Sequence, residues 1–73
     1  MDIADKILEV EARRAEAVEM LEESQAQHDR AVAAGEGAYV IGMLKSNILE
    51  ARRVIGTEGR ELEFLRWRAA RAA

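Results

Sequence analysis

Residues 33–38, Ala-Ala-Gly-Glu-Gly-Ala, separate two long stretches in which apolar residues recur with helical spacing. Gly35 can adopt the left-handed backbone conformation that ends many helices, and Gly37 relieves the backbone where a following helix begins. No proline stands anywhere in the chain to interrupt either stretch. The sequence therefore predicts two helices joined by a short turn at residues 34–37.

Both stretches carry apolar residues at alternating steps of three and four, which is the period of a coiled-coil seam. In the first stretch the seam positions are Ile3, Ile7, Val10, Arg14, Ala17, Leu21, Ser24, His28 and Ala31. In the second stretch they are Ile41, Leu44, Ile48, Ala51, Ile55, Glu58, Leu62, Leu65 and Ala69. The pattern predicts an all-α fold, a coiled-coil-like antiparallel helical hairpin in one domain over residues 1–73. Helix 1 should span about residues 2–33 and helix 2 about residues 38–70.

The start of the first helix and the continuity of the second depend on a few particular residues. Asp2 is placed to cap the first helix through its carboxylate. Gly56 and Gly59 each disfavour a helix by about 1 kcal/mol relative to alanine, so the second helix either breaks there or continues through them. The apolar repeat keeps its phase from Ile55 to Leu62 across this segment, which favours one unbroken helix.

Polar residues interrupt the seam at matching levels of the two helices. When the chain folds at the turn, residues whose numbers sum to 72 become level, so Arg14 meets Glu58 and Gln25 meets Asn47. A polar residue in a helix seam commonly fixes the alignment of the helices. We therefore expect an Arg14–Glu58 ion pair and a Gln25–Asn47 amide contact to specify register. A catalytic role is disfavoured because no third catalytic group accompanies either pair.

The apolar surface is broader than a two-helix seam requires, because Val18, Val32, Val40, Met43 and Val54 flank the seam positions. A chain of 73 residues without cysteine has no disulfide to support a thin core, and self-association is a common remedy. Residues 1–36 carry four bases and ten acids, a net −6, whereas residues 37–73 carry seven bases and four acids, a net +3. We expect a homo-oligomer, either a four-helix bundle made of two hairpins or a larger helical assembly, and docking onto another protein would cover the same surface.

The second helix also carries a candidate partner interface near its end. Phe64 and Trp67 are three residues apart and are flanked by Arg60 and Arg68, with Leu49 earlier on the same helix. Aromatic residues beside arginine are typical of protein interfaces. The same residue types can also pack inside a bundle, stack on single-stranded nucleic acid or lie at a membrane surface. We favour a protein interface.

The sequence offers little for chemistry or for membrane insertion. His28 is the single histidine and lacks the Glu-x-x-His pattern of di-iron bundles, so we expect it to pack at an edge or at a subunit contact. No nucleophile triad, phosphate-binding loop or thiolate cluster is present, and we expect neither a cofactor nor a metal. Neither a signal peptide nor an apolar run long enough to span a membrane is evident, so we expect a cytoplasmic protein or a component of a virus particle.

The layout of two helices of about 30 residues joined by a short glycine turn is similar to three groups of small helical proteins. These are the Rop-type antiparallel four-helix bundles that bind RNA through their helix faces, the helical-hairpin co-chaperones of type III secretion, and small accessory proteins of tailed phage particles. The resemblance covers the architecture and implies a viral or bacterial protein that acts through assembly.

Taken together, these features predict a non-catalytic structural or assembly protein, not an enzyme, acting through helix-mediated contacts with itself and with a partner. The alternative is a Rop-like nucleic-acid-binding hairpin that uses the arginines of the second helix: Arg52, Arg53, Arg60, Arg66, Arg68 and Arg71. The acidic overall charge favours the first function. A gel shift measured at increasing salt separates the two, because phosphate contacts weaken steeply with salt.

Overall fold

The computed structural model describes residues 2–72 and consists, over this range, of two antiparallel helices. Helix α1 spans Ile3–Ala33 and helix α2 spans Ala38–Ala72. They pack side by side along their whole length and form a rod of 55 × 16 × 13 Å. The predicted all-α helical hairpin is confirmed, with α1 beginning one residue later and α2 ending two residues later than the sequence pattern indicated.

The start of α1 differs from the prediction. Asp2 precedes the helix with an extended backbone (ψ 147°), but its side chain makes no capping hydrogen bond. Its backbone carbonyl instead accepts a hydrogen bond of 3.0 Å from the backbone N–H of Lys6, which closes the first helical turn. The predicted carboxylate cap is therefore wrong. The Asp5 carboxylate lies in the first turn, where negative charge is favourable beside the free N–H groups.

The turn is a Schellman motif, the hydrogen-bonded ending in which a left-handed residue follows the helix. Gly35 has φ +72°, the only positive φ among the described residues. The N–H of Gly35 donates to the carbonyl of Val32 at 3.1 Å, and the N–H of Glu36 donates to the carbonyl of Ala31 at 2.9 Å. These two bonds satisfy carbonyls that the end of α1 would otherwise leave free, and they reverse the chain for α2.

We expect Gly35→Ala to lower the free energy of unfolding by about 1 kcal/mol, because a side chain disfavours the left-handed conformation. Open space surrounds this position, so the effect comes from the backbone and not from a clash. Gly42→Ala is the matched control, since Gly42 lies within α2 and is also surrounded by open space. It should raise the free energy of unfolding by about 1 kcal/mol through helix propensity. Urea denaturation of both variants measures these changes, and equal shifts of the same sign would contradict the role of Gly35.

Helix α2 continues without interruption through Gly56 and Gly59, as the phase of the apolar repeat predicted. Neither glycine has a backbone conformation that requires it. A Cβ atom at Gly56 would lie 3.7 Å from Nη1 of Arg60, and one at Gly59 would lie 3.7 Å from Nε of Arg14. Both distances are ordinary contacts with flexible side chains. The hairpin alone therefore does not need glycine at either position.

The core is small and lies at the end of the rod opposite the turn. Val10, Leu62 and Leu65 form a buried cluster, and Ile3 and Ile7 pack against it. Outside this cluster the buried residues are alanines, at positions 17, 31 and 51. Large apolar side chains that remain exposed are Leu8, Met20, Val32, Tyr39, Val40, Met43, Leu49, Phe64 and Trp67. Helix packing within one chain thus leaves much of the apolar surface uncovered.

Candidate interaction surfaces

Two helices that meet along one seam present two faces, one on each side of the seam. We call the front face the side on which Glu11 and Ala15 of α1 and Gly56, Gly59 and Arg66 of α2 line one groove. We call the back face the side on which a second depression is lined by Met20, Glu23, Gln27, Asn47 and Glu50. Residues seven positions apart on one helix share a face, which assigns the remaining side chains.

The ion pair expected between Arg14 and Glu58 is not formed. Glu58 is paired with Arg13, whose Nη2 lies 3.5 Å from Oε2 of Glu58. The same guanidinium contacts Glu61 at 3.6 Å and Glu9 at 3.4 Å on the back face. Arg14 is exposed and lines the front groove, where its long side chain keeps the charge in water. The role of Glu58 in setting register stays a prediction, with Arg13 as its partner.

The expected contact between Gln25 and Asn47 is not formed either. Gln25 lines a depression on the front face, together with Lys45 and Leu49. Asn47 lines the depression on the back face. The two residues are level along the rod, but they flank the seam on opposite sides. Two residues at the same height along the rod come into contact only if their side chains also project to the same side of the seam.

The five residues expected to form one partner interface fall into two groups. Leu49 and Arg60 line the two depressions of the front face. Phe64, Trp67 and Arg68 lie together near the end of α2 and contact one another. The structure therefore divides the predicted interface between two surfaces.

The second group forms an aromatic–arginine cluster, which we define as Phe64, Trp67, Arg68 and Arg71. The rings of Phe64 and Trp67 stack with centroids 6.2 Å apart and an interplanar angle of 22°. The Cζ atom of Arg68 lies 5.9 Å from the centre of the Phe64 ring, and that of Arg71 lies 4.8 Å from the centre of the Trp67 ring. Each arginine follows its ring by four residues, a spacing that places them together on one helix. Both rings remain 55% exposed, so the cluster is an ordered apolar surface with a positive rim.

The front groove has a volume of about 660 Å³. Its floor contains Ile55 and Leu62 from the seam, and the missing side chains of Gly56 and Gly59 leave it open. At one end Nη2 of Arg66 lies 3.5 Å from Oε1 of Glu11, an ion pair that joins the helices across the groove. The two glycines are visible in the sequence. The groove that they leave could be recognised only once the position of α1 was known.

His28 lines the second front depression with Gln25, Lys45, Leu49 and Arg52. Its Nδ1 lies 3.6 Å from Oδ1 of Asp29, and its buried Nε2 has no hydrogen-bond partner within the described chain. Over residues 2–72 no group of three or more potential ligands from His, Cys, Asp and Glu is positioned to hold a metal ion. The expected place of His28 at a packed edge or a subunit contact stays a prediction.

Comparison with protein-family models, curated proteins and solved structures finds no significant match to this chain. Within the part of the chain that the structure describes, neither helix has an apolar run that could cross a membrane.

Proposed function

We propose that this chain is a non-catalytic structural or assembly protein that acts through helix-mediated contacts, both with copies of itself and with a partner protein. The observation that supports this function is the distribution of its apolar side chains. Large apolar residues, from Leu8 in α1 to Trp67 in α2, are 39–80% exposed, whereas the core cluster has three fully packed members. An apolar surface of this extent is typical of a protein that is completed by association.

Self-association follows from the thin core. A small domain without disulfide or metal rarely obtains enough stability from its own apolar core. The hairpin offers two long, flat faces, and a four-helix bundle formed by two hairpins would cover one face of each copy. A monomer of 8.1 kDa under all conditions would contradict this half of the proposal, and sedimentation equilibrium or light scattering measures the mass directly.

The residues of the aromatic–arginine cluster favour a protein as the binding partner. Stacked rings lose little conformational freedom on binding because their neighbours already hold them, and tryptophan and arginine dominate binding energies in protein interfaces. The cluster lies at the end of α2, where a partner can reach it without disturbing the core. We propose that such a protein acts, for example, in a phage particle or as a small secretion co-chaperone. Its proposed location is a cell or a virus particle.

Nucleic-acid binding is less favoured by the arrangement of the arginines. Arg53 donates from Nε to Glu50 at 3.0 Å, and this hydrogen bond holds the pKa of the Glu50 carboxyl below its usual range and raises the pKa of Arg53. Arg66 is paired with Glu11, and Arg68 and Arg71 lie over rings. Four of the six arginines thus have partners within the chain, and Arg68 and Arg71 lie apart from the front-face arginines Arg52, Arg60 and Arg66.

We expect the double substitution Phe64→Ala with Trp67→Ala to abolish capture of the partner while leaving the helical content unchanged. Both side chains are half-exposed and outside the core, so the fold should tolerate their loss. The measurement is photo-crosslinking in the source organism followed by mass spectrometry of the products. Met20→Ala is the control, because it removes an equally exposed apolar side chain that lies further along the rod, level with residue 52. Identical crosslinked partners for all three proteins would contradict the assignment of this cluster.

A further inference from the structure

The front face separates net charge by helix. Helix α1 contributes three acids, Glu11, Glu22 and Asp29, against one base, Arg14, with Glu22 one heptad from Ala15 and Asp29. Helix α2 contributes to the same face four bases, Lys45, Arg52, Arg60 and Arg66, against one acid, Glu63. Only Glu11 and Arg66 form an ion pair with each other, and no ion pair joins Glu22, Lys45 or Arg52 to another described residue. Opposite charges therefore lie along the two helices of this face, mostly without partners.

The back face lacks this separation. Arg13 is already surrounded by Glu9, Glu58 and Glu61, so its charge is balanced within the chain. Glu23 of α1 and Glu50 of α2 line the same back depression, which places like charges on the two helices. A partner helix on this side would find neither a uniformly acidic nor a uniformly basic surface.

From these observations we infer that a second copy of this chain packs on the front face, with α1 of each copy lying on α2 of the other. This inference rests on the proposed self-association and adds the face and the orientation. In this dimer the twofold axis is parallel to the long axis of the rod and lies between the two hairpins. The acidic α1 of each copy then packs on the basic α2 of the other. The other twofold arrangement, with the axis across the rod, places α1 on α1 and brings acid against acid.

The levels of two acidic residues of α1, Glu22 and Asp29, agree with this arrangement. An axis along the rod keeps each residue at its own level, and residues whose numbers sum to 72 are level. Glu22 is therefore within two residues of the level of Arg52 in the other copy. Asp29 is likewise within two residues of the level of Lys45. Charged pairs between packed helices favour one partner and one orientation.

The glycine groove gives the second copy room to approach. Each helical glycine disfavours α2 relative to alanine, and nothing within the hairpin requires Gly56 or Gly59. Ala15 of α1 is level with residue 57 and thus meets the glycine segment of the other copy. Small residues on both sides allow two helices to pack closely over the apolar floor formed by Ile55 and Leu62.

The size of the face is sufficient for a stable contact. A flat side of 55 × 16 Å has a projected area close to the roughly 800 Å² that each partner buries in a standard specific interface. Leu49, which is 64% exposed in one hairpin, lies on this face and would lose part of its exposure.

Single cysteines test the arrangement, since the natural chain has none. When the twofold axis is parallel to the rod, each front-face residue beside the seam lies opposite the same residue of the second copy. Gln25→Cys and Ala4→Cys, which lie on either side of the middle of α1, should therefore both give disulfide-linked dimers under mild oxidation. Gln27→Cys is the matched control, because Gln27 has the same side chain as Gln25 but lines the back face. It should give several-fold less dimer, read on a non-reducing gel as the fraction linked.

Other crosslinking patterns overturn the inference in distinguishable ways. Linkage through Gln27→Cys and not through Gln25→Cys assigns the contact to the back face and leaves the proposed self-association intact. Linkage at Val18→Cys, in the middle of α1, without linkage at Gln25→Cys or Ala4→Cys indicates the axis across the rod. A monomeric mass for the wild type removes both the inference and the self-association.

Substitution of the glycines provides an independent measurement. Gly56→Leu and Gly59→Leu should weaken dimerisation by roughly tenfold or more in sedimentation, the size expected for an overpacked helix contact. Their helical content should not fall, since leucine favours a helix more than glycine does. Thr57→Leu, on the opposite side of the same helical turn, should change dimerisation by less than roughly threefold. Equal effects at all three positions would contradict docking in this groove.

Discussion

Leu65→Ala should lower the free energy of unfolding by about 2–5 kcal/mol, the range measured when a buried leucine is truncated in a packed core. Leu65 is 7% exposed and belongs to the only cluster of buried large side chains among the described residues. Native domains are stable by only about 0.05–0.15 kcal/mol per residue, so this loss is a large part of the total. Urea denaturation monitored by circular dichroism measures it, at one fixed protein concentration because association also contributes to stability.

Met20→Ala is the control for this prediction. It removes an apolar side chain of similar size, but Met20 is 58% exposed and lies on the back face, away from the proposed contact between copies. Its effect should stay within about 0.5 kcal/mol. A similar loss for both variants would mean that Met20 is covered in solution, and the cluster around Val10 would then not be the principal core.

Glu58→Leu should raise the free energy of unfolding by about 1–2 kcal/mol, because it replaces a carboxylate in the seam with an apolar side chain. The side chain of Glu58 is 15% exposed, so its charge is partly desolvated. Arg13 would not lose all its partners, because Glu9 and Glu61 stay within 3.4 and 3.6 Å. Thermal or urea denaturation measures the gain.

Arg13→Ala completes the test of this ion pair. Alone it should lower the free energy of unfolding by about 1 kcal/mol, because Glu58 then lies in the seam without its cation. In the Glu58→Leu background the same substitution should have little effect, which gives a coupling energy in a double-mutant cycle. Replacing Arg14 by alanine should show no coupling to Glu58. Coupling to Arg14 in place of Arg13 would contradict the contact seen in the structure.

The helices and the turn were predictable because each is encoded by local physics. A repeat of three and four identifies the buried side of a helix, and Gly35 is the residue that a left-handed helix ending prefers. The register followed from the same repeat, and the packing of Val10 with Leu62 agrees with it. The unbroken course of α2 through Gly56 and Gly59 also followed, since a break would have shifted the phase of the repeat.

The contacts beside the seam were less predictable, because they depend on which way a side chain leaves its helix. Arg13 and Arg14 are adjacent and both long enough to reach a carboxylate on α2, so level alone could not choose between them. Gln25 and Asn47 share a level but not a face. The grouping of Phe64 with Trp67 and Arg68 was predictable from spacings of three and four residues, whereas Leu49 is too far along α2 to join them.

The core cluster lies at the end of the rod away from the turn. The packing between α1 and α2 is therefore strongest near the two ends of the chain. Around the turn the seam is held by small or half-covered residues, and Val32, Tyr39, Val40 and Met43 remain exposed. Local opening should therefore begin near the turn, and backbone amides of residues 28–44 should exchange with deuterium faster than those around Val10 and Leu62. The helices would therefore separate first beside the turn, while the end packed around Val10 and Leu62 stays closed.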